Sequence, residues 1–263
     1  MIRCPTERLL QLSDQEFRSA VAERLLVPRV PEGRCPRVFS TGATCGHLVR
    51  GGAHAHCCRG GAGIRTTGRH DPLVREWARI LRSAGRLVLV ETRDPLMGPS
   101  ARLDIVEFAG PSGAPSSYDV SVVTALREDP SFIQICASTP GHAAELRHRE
   151  KLRSQYPHRV AGSRLVPLVV ETGGRWHRSV PSLARALGRD VVGRLEGFED
   201  RDQGAVVAWW AARLSALLLR GNALAHRVLA PPAGGPVEAG DAGHGPLPHA
   251  IPEGDCAYEL LVR

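Results

Sequence analysis

From Asp71 onward the apolar positions alternate between two spacings. Leu73, Val74, Trp77, Ile80 and Leu81 recur at the period of a helix buried on one face, and Gly85 ends it. Leu87 to Val90 predict a buried strand, Arg102 to Phe108 a second and Ser117 to Val123 a third. A helix is predicted from Ala143 to Tyr156, then a fourth strand from Leu165 to Glu171. Helix, three strands, helix, strand is an α/β core of modest size, with strands 2 and 3 joined as a hairpin. Further helices are predicted over Pro181 to Leu195 and Ala205 to Leu229. The second carries Val206, Trp209, Trp210, Leu214, Leu217, Leu218 and Leu224, a stripe suited to core packing or to a partner.

Upstream, residues 13–26 predict a short helix capped by Ser13, with Glu16 three residues on and an apolar stripe of Phe17, Val21, Leu25 and Leu26. Residues 31–70 are rich in Gly, Cys and His and show no period; such a stretch needs a metal to order it. After Ala230 the chain is aperiodic and rich in Pro, Gly and His, which predicts disorder. The organisation is therefore 1–70, an N-terminal helix and Cys/His module; 71–180, the α/β core; 181–230, C-terminal helices; and 231–263, a tail.

At 263 residues the chain can build one sizeable core with a small accessory module. The net charge of +7 and pI near 9.4 favour a polyanionic partner. Lys151 is the only lysine, so arginine carries that charge, as it also does in chains from GC-rich genomes. Seven cysteines, four of them within residues 35–58 among histidines, indicate a metal site in a reducing compartment rather than a disulfide framework. Arg3, Glu7, Arg8 and Asp14 interrupt any signal-peptide run, and no uncharged apolar stretch reaches the roughly 20 residues of a membrane span. The expectation is a soluble intracellular protein with no membrane partner.

Asp104 and Asp119 each lie inside an apolar strand, where aspartate is rare and costly to bury alone. The midpoint between them falls at Pro111–Ser112. A hairpin symmetric about that loop sets the two carboxylates directly opposite, with Cβ atoms about 5 Å apart. A hard cation between them relieves their repulsion, and Mg²⁺ or Mn²⁺ held this way suits phosphodiester hydrolysis. Lys151, on the following helix amid Arg147, Arg149 and Arg153, would assist the attack, while the arginines hold a nucleic-acid backbone. Glu76 and Glu171 are accessory acids or ordinary surface carboxylates. The plainer alternative leaves both aspartates facing water and the basic run on a solvated helix face.

Cys35, Cys45, His54 and Cys58 can form one tetrahedral structural Zn²⁺ site, with Cys57, His47 and His56 as rival ligands. Nine residues separate Cys35 from Cys45 where two to four are usual.

The order of these features carries a resemblance. A Cys-Cys-His-Cys cluster precedes Gly60-Gly61, Arg69-His70-Asp71, Leu103-Asp104 and Asp119-Val120-Ser121-Val122. A basic helix with Lys151 and Tyr156, Pro167 to Thr172 and Arg213 to Ala223 follow. Over residues 13–229 this resembles the restriction-enzyme-like endonuclease domain of site-specific non-long-terminal-repeat retrotransposons. The resemblance implies a PD-(D/E)XK fold, Asp104 and Asp119 as metal ligands, and Lys151 as the catalytic basic residue. It also implies that the Cys/His module, Arg69 and His70 grip target DNA, that a reverse transcriptase accompanies the domain in a parent polyprotein, and a nuclear location. Leu103 stands where the pattern has proline, and Ser121 where it usually has the lysine. Lys151 and Tyr156 are one residue further apart than expected.

Three functions are weighed on these grounds. The first is a metal-dependent endonuclease that nicks DNA, with RNA also open as a ligand and a homodimer favouring second-strand cutting. The second is a non-catalytic, zinc-stabilised nucleic-acid-binding remnant, which needs the basic surface but not the acids. The third is a protein-interaction remnant held by the Trp209/Trp210 helix.

Overall fold

The computed structural model describes residues 8–25, 27, 33–39, 41–49, 53–93, 102–108, 115–127, 129–156, 164–194 and 200–227. Helix α1 (Asp14–Arg24) precedes a short hairpin of β1 (Gly33–Arg34) and β2 (Leu48–Val49). Helices α2 (His54–Cys57) and α3 (Ala62–Arg65) follow, and a π turn at Thr66–His70 runs straight into α4 (Asp71–Ser83). Next come β3 (Val88–Arg93), β4 (Arg102–Glu107), β5 (Ser116–Val123), α5 (Pro130–Ser138) and α6 (His142–Glu150). Helix α6 continues into a second π turn, Lys151–Gln155, before β6 (Arg164–Glu171), α7 (Ser179–Val192) and α8 (Asp200–Arg227).

The main sheet has the order β3-β4-β5-β6. The first two pairings are antiparallel and the last is parallel. Parallel neighbours need a long crossover, and α5 with α6 supplies it. The mixed α/β architecture and all four predicted strands are present, with ends displaced by up to three residues. Helix α5 was not predicted, because Ile133 and Ile135 are exposed and Phe132 is its buried residue, so no apolar stripe marks it. The hairpin midpoint at Pro111–Ser112 and the tail 231–263 lie outside the described residues.

One core joins the elements. Leu73, Trp77, Ile80 and Leu81 of α4 pack with Ile105, Tyr118, Val120, Leu168 and Val170 of the sheet. Val180, Leu187 and Val191 of α7 and Trp210, Leu214, Leu217 and Leu218 of α8 complete it. The apolar stripe of α8 is therefore core packing. Trp209 lies between the guanidinium groups of Arg79 and Arg213, 4.7 and 4.9 Å from its ring centre.

Two expectations are corrected. Helix α1 has the predicted capping box, but its stripe faces outward, with Phe17 59% and Leu25 67% exposed. It turns its polar side to α8 instead, where Glu16 pairs with Arg220 at 3.7 Å and Glu23 accepts from Asn222 at 3.3 Å. Glu76 is not a surface carboxylate: it is buried, bonded to Arg79 at 2.5 and 3.1 Å and to Arg213 at 2.8 and 3.2 Å, tying α4 to α8. Those guanidiniums outweigh the effect of burial and hold its carboxyl below the ordinary range.

Candidate active cleft and metal centre

The β4–β5 register pairs Glu107 with Ser116, Val106 with Ser117 and Ile105 with Tyr118. One further step brings Asp104 opposite Asp119. Directly opposed residues share a sheet face, and both aspartates line a cleft of about 330 Å³ with His70, Arg102, Arg147, Lys151 and Tyr156. Asp104 Oδ2 accepts the Val120 amide at 2.6 Å and the His70 Nε2 proton at 3.2 Å. His70 Nδ1 faces Asp71 at 3.1 Å. Both ring nitrogens thus meet carboxylates. Burial alone would depress its pKa, but the bonds to Asp104 and then Asp71 prevail and raise it to about 9, so the ring is an imidazolium at neutral pH.

Asp119 is the more enclosed acid, only 4% exposed. Lys151 Nζ lies 2.6 Å from each of its oxygens, and the Tyr156 hydroxyl donates to Oδ2. Burial pulls the Lys151 pKa down against the attraction of Asp119, and burial together with that carboxylate pushes the Tyr156 phenol up. The spacing of these two donors has a structural cause. On an α-helix, residues four apart share a face, so a five-residue separation would turn Tyr156 away from Lys151. A π turn closes i→i+5 and absorbs one extra residue. The turn at Lys151–Gln155 is where that extra residue is taken up, and both donors reach one carboxylate.

The other predicted contacts divide. His70, Arg147 and Lys151 line the cleft, and Arg149 and Arg153 are exposed on the adjoining surface. Arg69 does not face the cleft: it is 4% exposed, with Nη1 bonded to His56 and Asn222. Glu171 also turns away, accepting the Ala144 amide at 3.2 Å. Arg102 was missed, although strand alternation places it on the same face as Asp104 two residues on. Tyr156 was noted only as a motif member.

The Cys/His segment contains its own hairpin. Strands β1 and β2 pair Gly33 with Val49 and Arg34 with Leu48. The ladder continues through Cys35 N–H to His47 O at 2.8 Å and Cys45 N–H to Arg37 O at 2.7 Å. Its arms bring Cys35 and Cys45 together across the nine intervening residues, which resolves their unusual spacing. His54 and Cys58, four apart around α2, close the set, and the four ligand atoms lie within 4.8 Å of one another. Cys35 Sγ and Cys58 Sγ are 3.7 Å apart, and Cys45 Sγ and His54 Nε2 are 3.5 Å apart. A tetrahedron with Zn–S near 2.3 Å and Zn–N near 2.1 Å has edges of about 3.8 and 3.6 Å. The cluster can hold a metal such as zinc. Without one, burial pushes the Cys35 thiol up to about 12. Cys57 is exposed and His47 stacks on His54 from outside the set.

Glu23, His56 and His226 form a second such trio within 4.8 Å. Arg69 can only donate, so the network assigns the lone pair of His56 Nδ1 to Arg69 and its Nε2 proton to Glu23, 3.2 Å away. That leaves a carboxylate and a guanidinium bridged by one imidazole, a charge-balanced buried staple in which Arg69 already supplies the cation. Among the described residues, no helix is long and apolar enough to cross a membrane.

No protein-family model and no curated protein matches this chain.

Proposed function

We propose that this chain is a metal-dependent DNA endonuclease of the PD-(D/E)XK class, of the kind carried by site-specific retrotransposon polyproteins. The observation that carries the reading is the pair Asp104 and Asp119, opposed across one hairpin and lining a cleft with the only lysine of the chain. The element order α4-β3-β4-β5-α5-α6-β6 and the mixed sheet are compatible with that class.

The carboxylates have room for a divalent ion. A carboxylate offers about four lone-pair positions. Lys151 and Tyr156 use three on Asp119, while His70 and Val120 N–H both use Oδ2 of Asp104. Mg²⁺ or Mn²⁺ held there would polarise the phosphate and lower the pKa of a bound water. The chain supplies the rest. Arg102 and Arg147 hold the phosphate, Lys151 stabilises charge developing on its oxygens, and Tyr156 fixes the Asp119 carboxylate. The zinc module and exposed Arg149 and Arg153 extend the contact along the DNA, while Arg69 acts from inside the fold.

A second reading has its own observation. Each acid is already matched by an internal cation, Asp119 by Lys151 and Asp104 by His70, so the cleft is electrostatically complete without a divalent ion. That arrangement also suits a zinc-stabilised DNA-binding remnant. Supercoiled-plasmid nicking with Mg²⁺ and with EDTA, beside Asp104→Asn and Asp119→Asn, decides between them. Metal-dependent nicking abolished in both variants is the expected outcome. DNA binding without nicking in Mg²⁺ and in Mn²⁺ leaves the remnant.

A further inference from the structure

Helix α2 faces two sites at once. His54 and Cys58 point at the metal centre, and His56, two residues from each, points the other way. Its Nδ1 accepts a hydrogen bond from Arg69 Nη1 at 3.1 Å and its Nε2–H donates one to Glu23 at 3.2 Å. Arg69 also reaches Asn222 Oδ1 at 3.3 Å, and Asn222 donates to the Thr172 carbonyl at 2.8 Å, just beyond β6. Arg69 is buried, which drives its pKa down to about 10 and makes its few partners decisive.

The next residue is His70, the cation on Asp104. Both belong to the π turn, which is pressed onto α8 with no space to spare. A Cβ on Gly68 would lie 2.5 Å from Leu224 Cδ2, and one on Gly221 2.6 Å from Arg69 Cβ. The turn therefore has one seat, and His56 helps to define it.

We propose that metal occupancy of the Cys35/Cys45/His54/Cys58 centre sets the geometry of the acidic cleft, transmitted through α2, His56 and Arg69 to His70. His56 and Arg69 are positioning residues in this scheme. For its effect on cleavage, though not for the coupling itself, the proposal rests on the nuclease reading above. The centre orders a four-residue helix that makes too few hydrogen bonds to stand alone. Without metal, α2 loses its anchor on one face and His56 its fixed direction on the other. Among the described residues, Arg69 then keeps the longer bond to Asn222.

Amide hydrogen exchange of the full chain, with zinc content measured on the same samples, tests this. Wild type with zinc is compared with wild type stripped by a zinc-selective chelator, and with His56→Leu and His56→Gln. Gln can accept from Arg69 and donate to Glu23 as the imidazole does. The amides of Thr66–His70 are expected to exchange at least about tenfold faster in stripped wild type and in His56→Leu, the effect of losing one charged hydrogen bond on a local opening. His56→Leu is expected to keep one zinc per chain, His56→Gln to exchange like wild type, and the amides of α7 to stay unchanged throughout. Exchange at Thr66–His70 that is unaltered in zinc-loaded His56→Leu overturns the proposal. So does stripping that loosens residues 33–58 and leaves the turn untouched, a comparison that holds even where His56→Leu does not fold. Nicking is followed in parallel: wild type that never nicks defeats the nuclease reading, while the exchange data still decide the coupling.

Discussion

Removing the carboxylate of Asp119 is expected to cost the fold far more than an ordinary surface change. Its side chain and that of Lys151 are 5% and 6% exposed, and the ammonium sits 2.6 Å from both oxygens. Asp119→Ala leaves a buried ammonium and the Tyr156 hydroxyl without their acceptor. Breaking a buried pair from one side costs about 3–5 kcal/mol. In a domain of this size each kcal/mol lowers Tm by about 2–4 °C, so the expected fall is roughly 6–20 °C. Removing the second charge reverses part of that loss, because no desolvated cation remains. Asp119→Ala/Lys151→Met is thus expected to be more stable than Asp119→Ala by about 2 kcal/mol. Urea denaturation of wild type, both single variants and the double variant closes the cycle. An Asp119→Ala protein within about 1 kcal/mol of wild type would refute the buried pair, as would a double variant no more stable than the single. The isosteric Asp119→Asn is the better probe of catalysis, since it retains an acceptor for Lys151 and Tyr156.

The cleft also predicts a pH dependence. Folded His70 keeps its proton to about pH 9, whereas the unfolded ring releases it near 6.5, so its contribution is complete below pH 6.5 and is lost as pH rises to 9. With the ring 29% exposed, the loss is at most about 3 kcal/mol in Mg²⁺-free buffer and is largely absent in Asp104→Asn; equal slopes in the two proteins over that window would contradict it. Gly221→Ala places a methyl 2.6–2.8 Å from Arg69 Cβ, Cγ and Cα. It is expected to destabilise by about 1–3 kcal/mol through overpacking, while Gly63→Ala, which meets nothing within 4 Å, is neutral or slightly stabilising. Matching melting curves for the two would show that the π turn and α8 are not in tight contact.

Periodicity was sufficient for the α/β core. The stripe Leu73-Trp77-Ile80-Leu81 and the apolar strands report burial directly, because removal of apolar area from water depends on local spacing. That Asp104 and Asp119 lie at one cleft was also legible, since an antiparallel hairpin converts sequence positions into register by counting. The four-ligand Cys/His set was readable as residue types, but its nine-residue gap made sense only once a hairpin folded Cys35 onto Cys45. Local rules misjudged α1, whose apolar stripe stays exposed while its polar side meets α8, some 200 positions away, through the Glu16–Arg220 ion pair and the Asn222–Glu23 hydrogen bond. They missed α5, which buries too little to show a stripe. The partners of Arg69, Glu76 and Asp119 were likewise beyond reach. A guanidinium or carboxylate in the sequence looks the same whether it meets water, phosphate or a buried counter-charge, and only the packing of distant helices decided which. The two π turns belong to this class, for they exist where tertiary contacts hold His70 on Asp104 and bring Lys151 and Tyr156 to one carboxylate.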